Sequence, residues 1–369
     1  MNLFERSAPL AIAMWDFSWL ERRWPGAGYE DWDQCLDELV ERGYNAVRID
    51  AYPHLIARDP TRVWEILPCW NQQCWGSPAR NRIRVQPELN TFLRKCRDRG
   101  ILVGLSTWFQ RTEPEAISSI VTPQNHADIW LKTLASIEQD GLLETILYLD
   151  ICNEWPFDCW APFFRPQQEK GRWAGKESLQ WIGETIDILR RHFPHIPYTC
   201  SYSGLLHVED SQIPAIHQLD FLEAHLWMVQ ANEREFYRRT NYHYERFDPK
   251  GYDNLARYAE DVYRAAPHYW QRLLTDYIDA AASEAERVGL PLITTECWAI
   301  VDYKDWPLLS WDWVLELCAL GTRHACAKGQ WLAIATSNFC GPQFTGMWRE
   351  VAWHQNLTRE IRSAPFPPM

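Results

Sequence analysis

The chain has 369 residues, 46% of them hydrophobic and 23% charged, with a net charge of −12 at pH 7. That length can bury a large core, and the composition is that of a globular protein rather than a disordered or fibrous one. No basic stripe exists to neutralise phosphates, which argues against a nucleic-acid partner and leaves a neutral substrate open.

The unusual count is 22 Trp among 14% aromatic residues. Some of these rings build core. The others suit a cleft, because sugar rings stack their C–H faces on flat aromatic surfaces. Eleven cysteines are irregularly spaced. Cys69 and Cys74 are the closest pair, and no second cluster completes a zinc site with them. The apolar run inside MNLFERSAPLAIAMWDF is too short for a secretory or membrane segment, so reduced cysteines and a cytoplasmic location are expected.

Strand and helix patterns then alternate, predicting a parallel sheet with crossover helices. Leu10–Phe17 reads as the first strand, followed by an amphipathic helix over Asp31–Arg42 and a second strand at Ala46–Asp50. A long segment, Tyr52 to Gln86, carries Trp64, Trp70 and Trp75. Next come a helix at Glu88–Arg99, a strand at Leu102–Thr107, a helix at His126–Gln139 and a strand at Ile146–Ile151. A second long segment, Trp155 to Lys176, precedes the helix Ser178–His192 and the strands Tyr198–Tyr202 and Phe221–Leu226. The longest segment, Met228 to His268, holds REFYRRTNYHYERF, a mixed-charge aromatic lid candidate. The helix Tyr269–Val288 and the strands Leu292–Thr295 and Trp331–Thr336 complete the pattern. Gly43, Gly100, Gly141 and Gly289 each sit where a helix C′ residue belongs. Eight strands in this order predict one α/β (β/α)8 TIM barrel over residues 1–369, with long βα loops at its C-terminal face. Those loops either build an active-site face, or are surface decoration or an oligomer contact.

Two strands end in a way that needs a reason. LYLDICNEW (Leu147 to Trp155) and LPLITTECW (Leu290 to Trp298) each turn from an aliphatic run to a glutamate, Glu154 and Glu296. A carboxylate at the end of a buried strand is either paired or points into a cleft. Two of them on one barrel match the acid and nucleophile, or acid and base, that cleave glycosidic bonds. Arg48, in GYNAVRIDAY, is the arginine inside a predicted strand and needs a carboxylate partner. Taken alone, Glu154 could equally cap a helix or pair with Arg165, and His225 could be a satisfied core histidine. Asp16 is placed either to touch substrate or to make an inter-strand hydrogen bond. Asp150 reads as a structural partner within the barrel. Trp108, Trp227 and Trp298, all at strand ends, are better sugar-platform candidates than the helical Trp130 and Trp181.

The run Gly43 to Ile49, the pair Asn153-Glu154, His225 after the sixth strand and Glu296 after the seventh resemble glycoside hydrolase clan A, most closely its family-five, cellulase-like branch. The resemblance implies Glu154 as acid/base, Asn153 on the sugar 2-hydroxyl, Glu296 as nucleophile and Arg48 orienting it. His225 would lie beside the acid/base or the −1 subsite. It also implies that Glu154 needs a raised pKa and Glu296 a low one. Three strand ends depart from the family pattern. Leu105-Ser106-Thr107-Trp108 stands where a histidine is usual, His225-Leu226-Trp227 replaces His-x-Tyr, and Thr336-Ser337-Asn338-Phe339 replaces a tryptophan platform. Asn338 then joins the substrate-binding candidates.

The sequence thus points to a retaining β-glycoside hydrolase acting on a short oligosaccharide or glycoside, with no metal or organic cofactor. Two rivals differ in class. One is a carbohydrate-binding barrel that has lost activity, against which the retained Glu154, Glu296 and Arg48 argue. The other is a metal-dependent barrel enzyme, which needs several His and carboxylate clusters at strand ends, where only His225 stands.

Overall fold

Eight short runs of aliphatic and small residues pair in parallel and close on themselves. The computed structural model of the chain describes residues 3–68, 75–110, 115–166, 172–242, 249–303 and 309–367, without the side chains of 115, 116 and 249. The staves are β1 (Leu10–Asp16), β2 (Ala46–Asp50), β3 (Leu102–Ser106) and β4 (Ile146–Asp150). They continue with β5 (Tyr198–Thr199 and Tyr202–Ser203), β6 (Leu222–Trp227), β7 (Leu292–Thr294 and Cys297–Trp298) and β8 (Trp331–Ile334). Met14 pairs with Arg48, Arg48 with Gly104, and Gly104 with Tyr148, so one register runs across the first four staves. β5 carries the ring onward in two pieces: Thr199 pairs with Asp150, and Tyr202 with Ala224. β7 lies between β6 and β8, and Leu10 opposite Ala333 closes the barrel. The predicted (β/α)8 architecture is the observed one.

Alternation along each strand decides what fills the barrel. The inward set includes Arg48 on β2, Gly104 and Ser106 on β3, Tyr148 and Asp150 on β4, Ser201 on β5, and Glu223 and His225 on β6. All but Gly104 bear polar atoms, and Arg48, Asp150, Glu223 and His225 are fully buried. Gly104 is small for a reason. A Cβ there would lie 2.5 Å from the Tyr148 ring.

The outer layer follows from caps and amphipathic faces. Asp31 opens the helix Trp32–Glu41 by accepting from the backbone of Asp33 and Gln34. Thr122 does the same for Pro123–Gln139, whose proline stands in the first turn. Gly43 (φ +84°) lies where an added Cβ would meet Thr358 Oγ1 at 2.4 Å, so helix exit and helix packing both demand glycine. The helices Glu88–Arg97, Lys176–His192 and Pro267–Val288 lie within a few residues of their predicted limits.

Several elements were not expected. The segment after β2 is structured: a helix Pro53–Arg58 and an antiparallel hairpin, Val63–Ile66 with Asn81–Arg84, hold Trp64 buried. Trp70, Cys69 and Cys74 lie outside the described residues. Helices Pro249–Ala265, Asp312–Lys328 and Val351–Ile361 add to the outer ring. The fifth βα unit has only Ile213–Ile216 as its helix, and a groove of about 1220 Å³ runs there, lined in part by Trp155, Phe157, Trp173, Tyr202 and Ser203. The lid candidate is partly described. Tyr237 and Tyr242 pack it onto the loop after β7 through the backbone of Asp302 and its carboxylate, while 243–248 lie outside the described residues. Among the described residues no helix is long and apolar enough to cross a membrane.

Gly104→Ala tests the inward layer. It should destabilise the protein by about 1–3 kcal/mol through overpacking against Tyr148. A urea midpoint equal to that of the wild type would show that the layer can yield.

Candidate active site

Arg48 is the centre of the inward layer. Its Nη1 donates to Glu296 Oε1 at 3.1 Å, and its Nη2 to Asp150 Oδ2 at 2.6 Å and Asn153 Oδ1 at 2.8 Å. Its Nε lies 3.0 Å from Glu223 Oε1, an ion-pair distance although the N–H is not aligned on the oxygen. The guanidinium also stacks over Trp108, 4.6 Å from the ring centroid. Burial opposes the charge of Arg48, but Glu223, Asp150 and Glu296 outweigh it and hold the guanidinium protonated. Ser106 and Ser201 donate hydroxyls to Asp150 Oδ2, and Ser201 donates its backbone N–H to Oδ1. Asp150 is therefore the structural partner that the sequence suggested.

Above this layer the two glutamates face each other. Glu154 has φ +44°, a left-handed turn that breaks the line of β4 and swings its side chain over the barrel mouth. Its backbone N–H donates to Ser201 Oγ at 3.0 Å, and the Trp160 indole N–H donates to Oε2 at 3.3 Å. Arg165 pairs with Asp158 instead, so the alternative of a Glu154–Arg165 pair falls away. Glu296 sits in the gap between the two pieces of β7, its carbonyl accepting from Leu226 N–H. His225 Nδ1 lies 3.2 Å from Glu154 Oε1 and 3.6 Å from Glu296 Oε1. One oxygen from each glutamate and a nitrogen of His225 fall within 4.8 Å of one another.

The electrostatics differ from the expected pattern. Burial pushes Glu154 up, but the His225 hydrogen bond and charge, with Ser203 and Trp160, pull it below the ordinary carboxylate range. Burial and the neighbouring Glu154 carry Glu296 above that range, against His225 and Arg48. The expected raised Glu154 and lowered Glu296 are thus reversed. The cause is His225, whose imidazolium lies nearer to Glu154. Burial lowers its pKa, yet the charge of Glu296 and the contacts with Glu154 and Glu223 raise it to about 10. A trio of Glu154, His225 and Glu296 could in outline hold a divalent cation. Arg48 and protonated His225 already supply the positive charge that such a trio draws, so it reads as a proton-sharing site.

The remaining sequence candidates divide. Asp16 is buried at the end of β1, accepts from Ser18 N–H at 2.6 Å, and feels the charge of Glu296. Trp108 lies beneath the site as a face for Arg48. Trp227 packs edge-on to His225, with centroids 5.9 Å apart, and its indole N–H donates to Asn338 Oδ1. Asn338 donates in turn to Val301 O, so this pair ties together the loops after β6, β7 and β8. Trp298 is not an accessible platform. It is fully buried against Gly321 of the helix Asp312–Lys328, with its indole N–H on Ala335 O, because its side chain leaves the barrel on the outer face. The sequence reading missed Glu223, Ser201, Ser203 and Trp160. Glu223, two residues before His225 and so on the same strand face, was the one with a legible signal.

Residues 12–362 match the model of a family described as cellulase-like, sugar-binding cellulase-like. A candidate glycoside hydrolase from Parabacteroides distasonis ATCC 8503 is 55% identical, over 98% of this chain and 95% of that one, with a TM-score of 0.93. The endo-β-1,4-mannanase from Thermotoga petrophila reaches a TM-score of 0.55 at 11% identity, over 98% of this chain and 79% of that one. A glycoside hydrolase family 5 mannosidase from Rhizomucor miehei reaches 0.53 at 11% identity, over 96% and 94% of the two chains. At such identities the likeness is one of fold. No curated protein matches the sequence significantly.

Arg48→Met removes the shared cation while keeping most of its volume. It should cost about 3–5 kcal/mol at pH 7, since three carboxylates stay buried without their shared guanidinium. Their pKa values would then exceed the unfolded ones, so the penalty is present at neutral pH and shrinks as pH falls towards about 4. Denaturant titrations of both proteins at pH 7 and pH 4.5 check this, and an equal deficit at the two values would refute it.

Proposed function

The chain belongs to the sugar-binding cellulase-like family, and we propose that it hydrolyses a β-glycosidic bond with retention of configuration. The observation that supports this most is the pair Glu154 and Glu296, with oxygens within 4.8 Å at the same barrel mouth. Retaining enzymes hold their carboxyl groups about 5–5.5 Å apart and inverting ones about 6.5–9.5 Å, and nearest oxygens this close suit the shorter spacing. Arg48 breaks the symmetry of the pair. It touches Glu296 and not Glu154, which suits Glu296 as the ionised nucleophile.

In this reading Glu296 attacks the anomeric carbon while Glu154 protonates the departing oxygen. Water, deprotonated by Glu154, then releases the sugar from Glu296. On the same reading Asn153, held by Arg48, meets the 2-hydroxyl, and Asp16 is a further substrate contact. The groove beginning at Ser203, on the Glu154 side, would receive the leaving group, with half-exposed Phe157 on its rim. The substrate class is a short oligosaccharide or glycoside. A cytoplasmic site of action goes with this reading.

The mutants separate the roles. Glu296→Ala should lose activity on every β-glycoside. Glu154→Ala should still be glycosylated by a dinitrophenyl glycoside, whose leaving group barely needs an acid, and then stall for want of a base. Azide should restore turnover of Glu154→Ala alone, giving a β-glycosyl azide. A β-azide formed by Glu296→Ala would reverse the assignment. Sugar binding by the wild type without turnover of any glycoside would mark the chain as a binding protein.

A further inference from the structure

Glu223 is a carboxylate that the two-glutamate chemistry does not ask for. It is fully buried on β6. Oε1 accepts from the Thr295 hydroxyl at 2.7 Å and from Tyr148 at 3.4 Å, and lies 3.0 Å from Arg48 Nε. Arg48 already has Asp150 and Glu296, so a further buried acid adds a desolvation cost without being needed for that ion pair. What Glu223 does face is the back of His225, whose Nε2 stands 3.8 Å from Oε1. Both Glu223 Oε2 and His225 Nε2 are buried without a hydrogen-bond partner. At that distance the carboxylate acts on the ring through charge.

We propose that Glu223 is a positioning residue that keeps a proton on each nitrogen of His225, so that the acid's proton waits on Nδ1 and passes to Glu154 when a leaving group arrives. The inference rests on the glycosidase reading above. Asp150, Glu223 and Glu296 surround Arg48, Glu154 stands beyond them against His225, and one guanidinium cannot balance four carboxylates. The imidazole lies where a second cation is required, with Glu154 and Glu296 on its Nδ1 side and Glu223 on its Nε2 side. Arg48 alone among its close neighbours opposes its protonation. Around Glu223 itself stand Arg48, Tyr148, Asp150, Cys200 and His225.

The step balances. Nδ1–H passes to Glu154 Oε1 over the existing 3.2 Å contact. Glu154 passes a proton to the glycosidic oxygen as the C1–O bond breaks and the Glu296–C1 bond forms. In the second half, Glu154 takes a proton from water and returns one to Nδ1. The low resting pKa of Glu154 then agrees with its role as acid, because the proton is stored one hydrogen bond away.

The test reads His225 directly. In 15N-histidine-labelled protein, with the resonance assigned by His225→Asn, wild type at pH 7 should show both ring nitrogens protonated and titrate near pH 10. Glu223→Gln should lower that titration by about one pH unit or more, and Glu223→Asp should restore most of it. The basic limb of kcat/KM should move to lower pH in Glu223→Gln by the same amount. A single N–H on wild-type His225 at pH 7 overturns the proposal, and decides the matter even if Glu223→Gln does not fold. An unchanged titration in folded Glu223→Gln also overturns it. A shifted titration with an unmoved basic limb overturns the relay. The imidazole measurement needs no turnover, so it stands apart from failure of the hydrolase reading.

Discussion

A single guanidinium, sealed in the barrel, organises this protein. Arg48 meets carboxylates from three other staves, β4, β6 and β7, and a carbonyl oxygen from Asn153 just beyond β4. An isolated buried charge costs far more than a protein can sustain, so Arg48 requires buried carboxylates around it. The converse also holds, since Asp150, Glu223 and Glu296 would be untenable without it. Only arginine fits the task. Its planar fork presents donors in several fixed directions at once, where a lysine would offer a point charge. The geometry of the catalytic mouth is thus inherited from a polar core rather than built by the loops.

That dependence explains what the sequence could reveal. The eight staves were legible because each is a short aliphatic run between turn signals, and Gly43 and Gly289 mark helix ends with left-handed backbone. Glu154, Glu296 and Arg48 were legible because charge inside such runs is anomalous. Asn153 and His225 came from resemblance rather than from spacing. Helix Asp312–Lys328 escaped notice because it is buried over much of its surface, so its apolar residues lie on several sides and give little amphipathic period. The hairpin after β2 has only four residues in each strand, and exposed Val63 beside buried Trp64 blurs its two-residue period.

Other features depend on three-dimensional facts that no spacing encodes. Trp298 follows Glu296 by two residues and looked like a platform, yet its ring packs outward on Gly321. A strand-end tryptophan faces the mouth or the helices according to local backbone, and β7 is interrupted just before it. The resting protonation pattern was equally hidden. It depends on His225 lying nearer to Glu154 than to Glu296, a difference of tenths of an ångström.

The irregularities of the barrel fall where the chemistry is. β5 lacks ladder pairing at Cys200 and Ser201, and Ser201 spends its N–H and hydroxyl on Asp150. β7 lacks it at Thr295 and Glu296, freeing Thr295 to donate to Glu223 while Glu296 turns to Arg48. The turn after β4 holds Glu154 in a left-handed conformation. A regular ladder would alternate these side chains in and out and could not bring consecutive residues to one polar cluster. Each break exchanges strand pairing for side-chain hydrogen bonds within the same network. The local loss of regularity is offset by the ion pairs that it makes possible, and those bonds hold Glu154, His225 and Glu296 at contact distance.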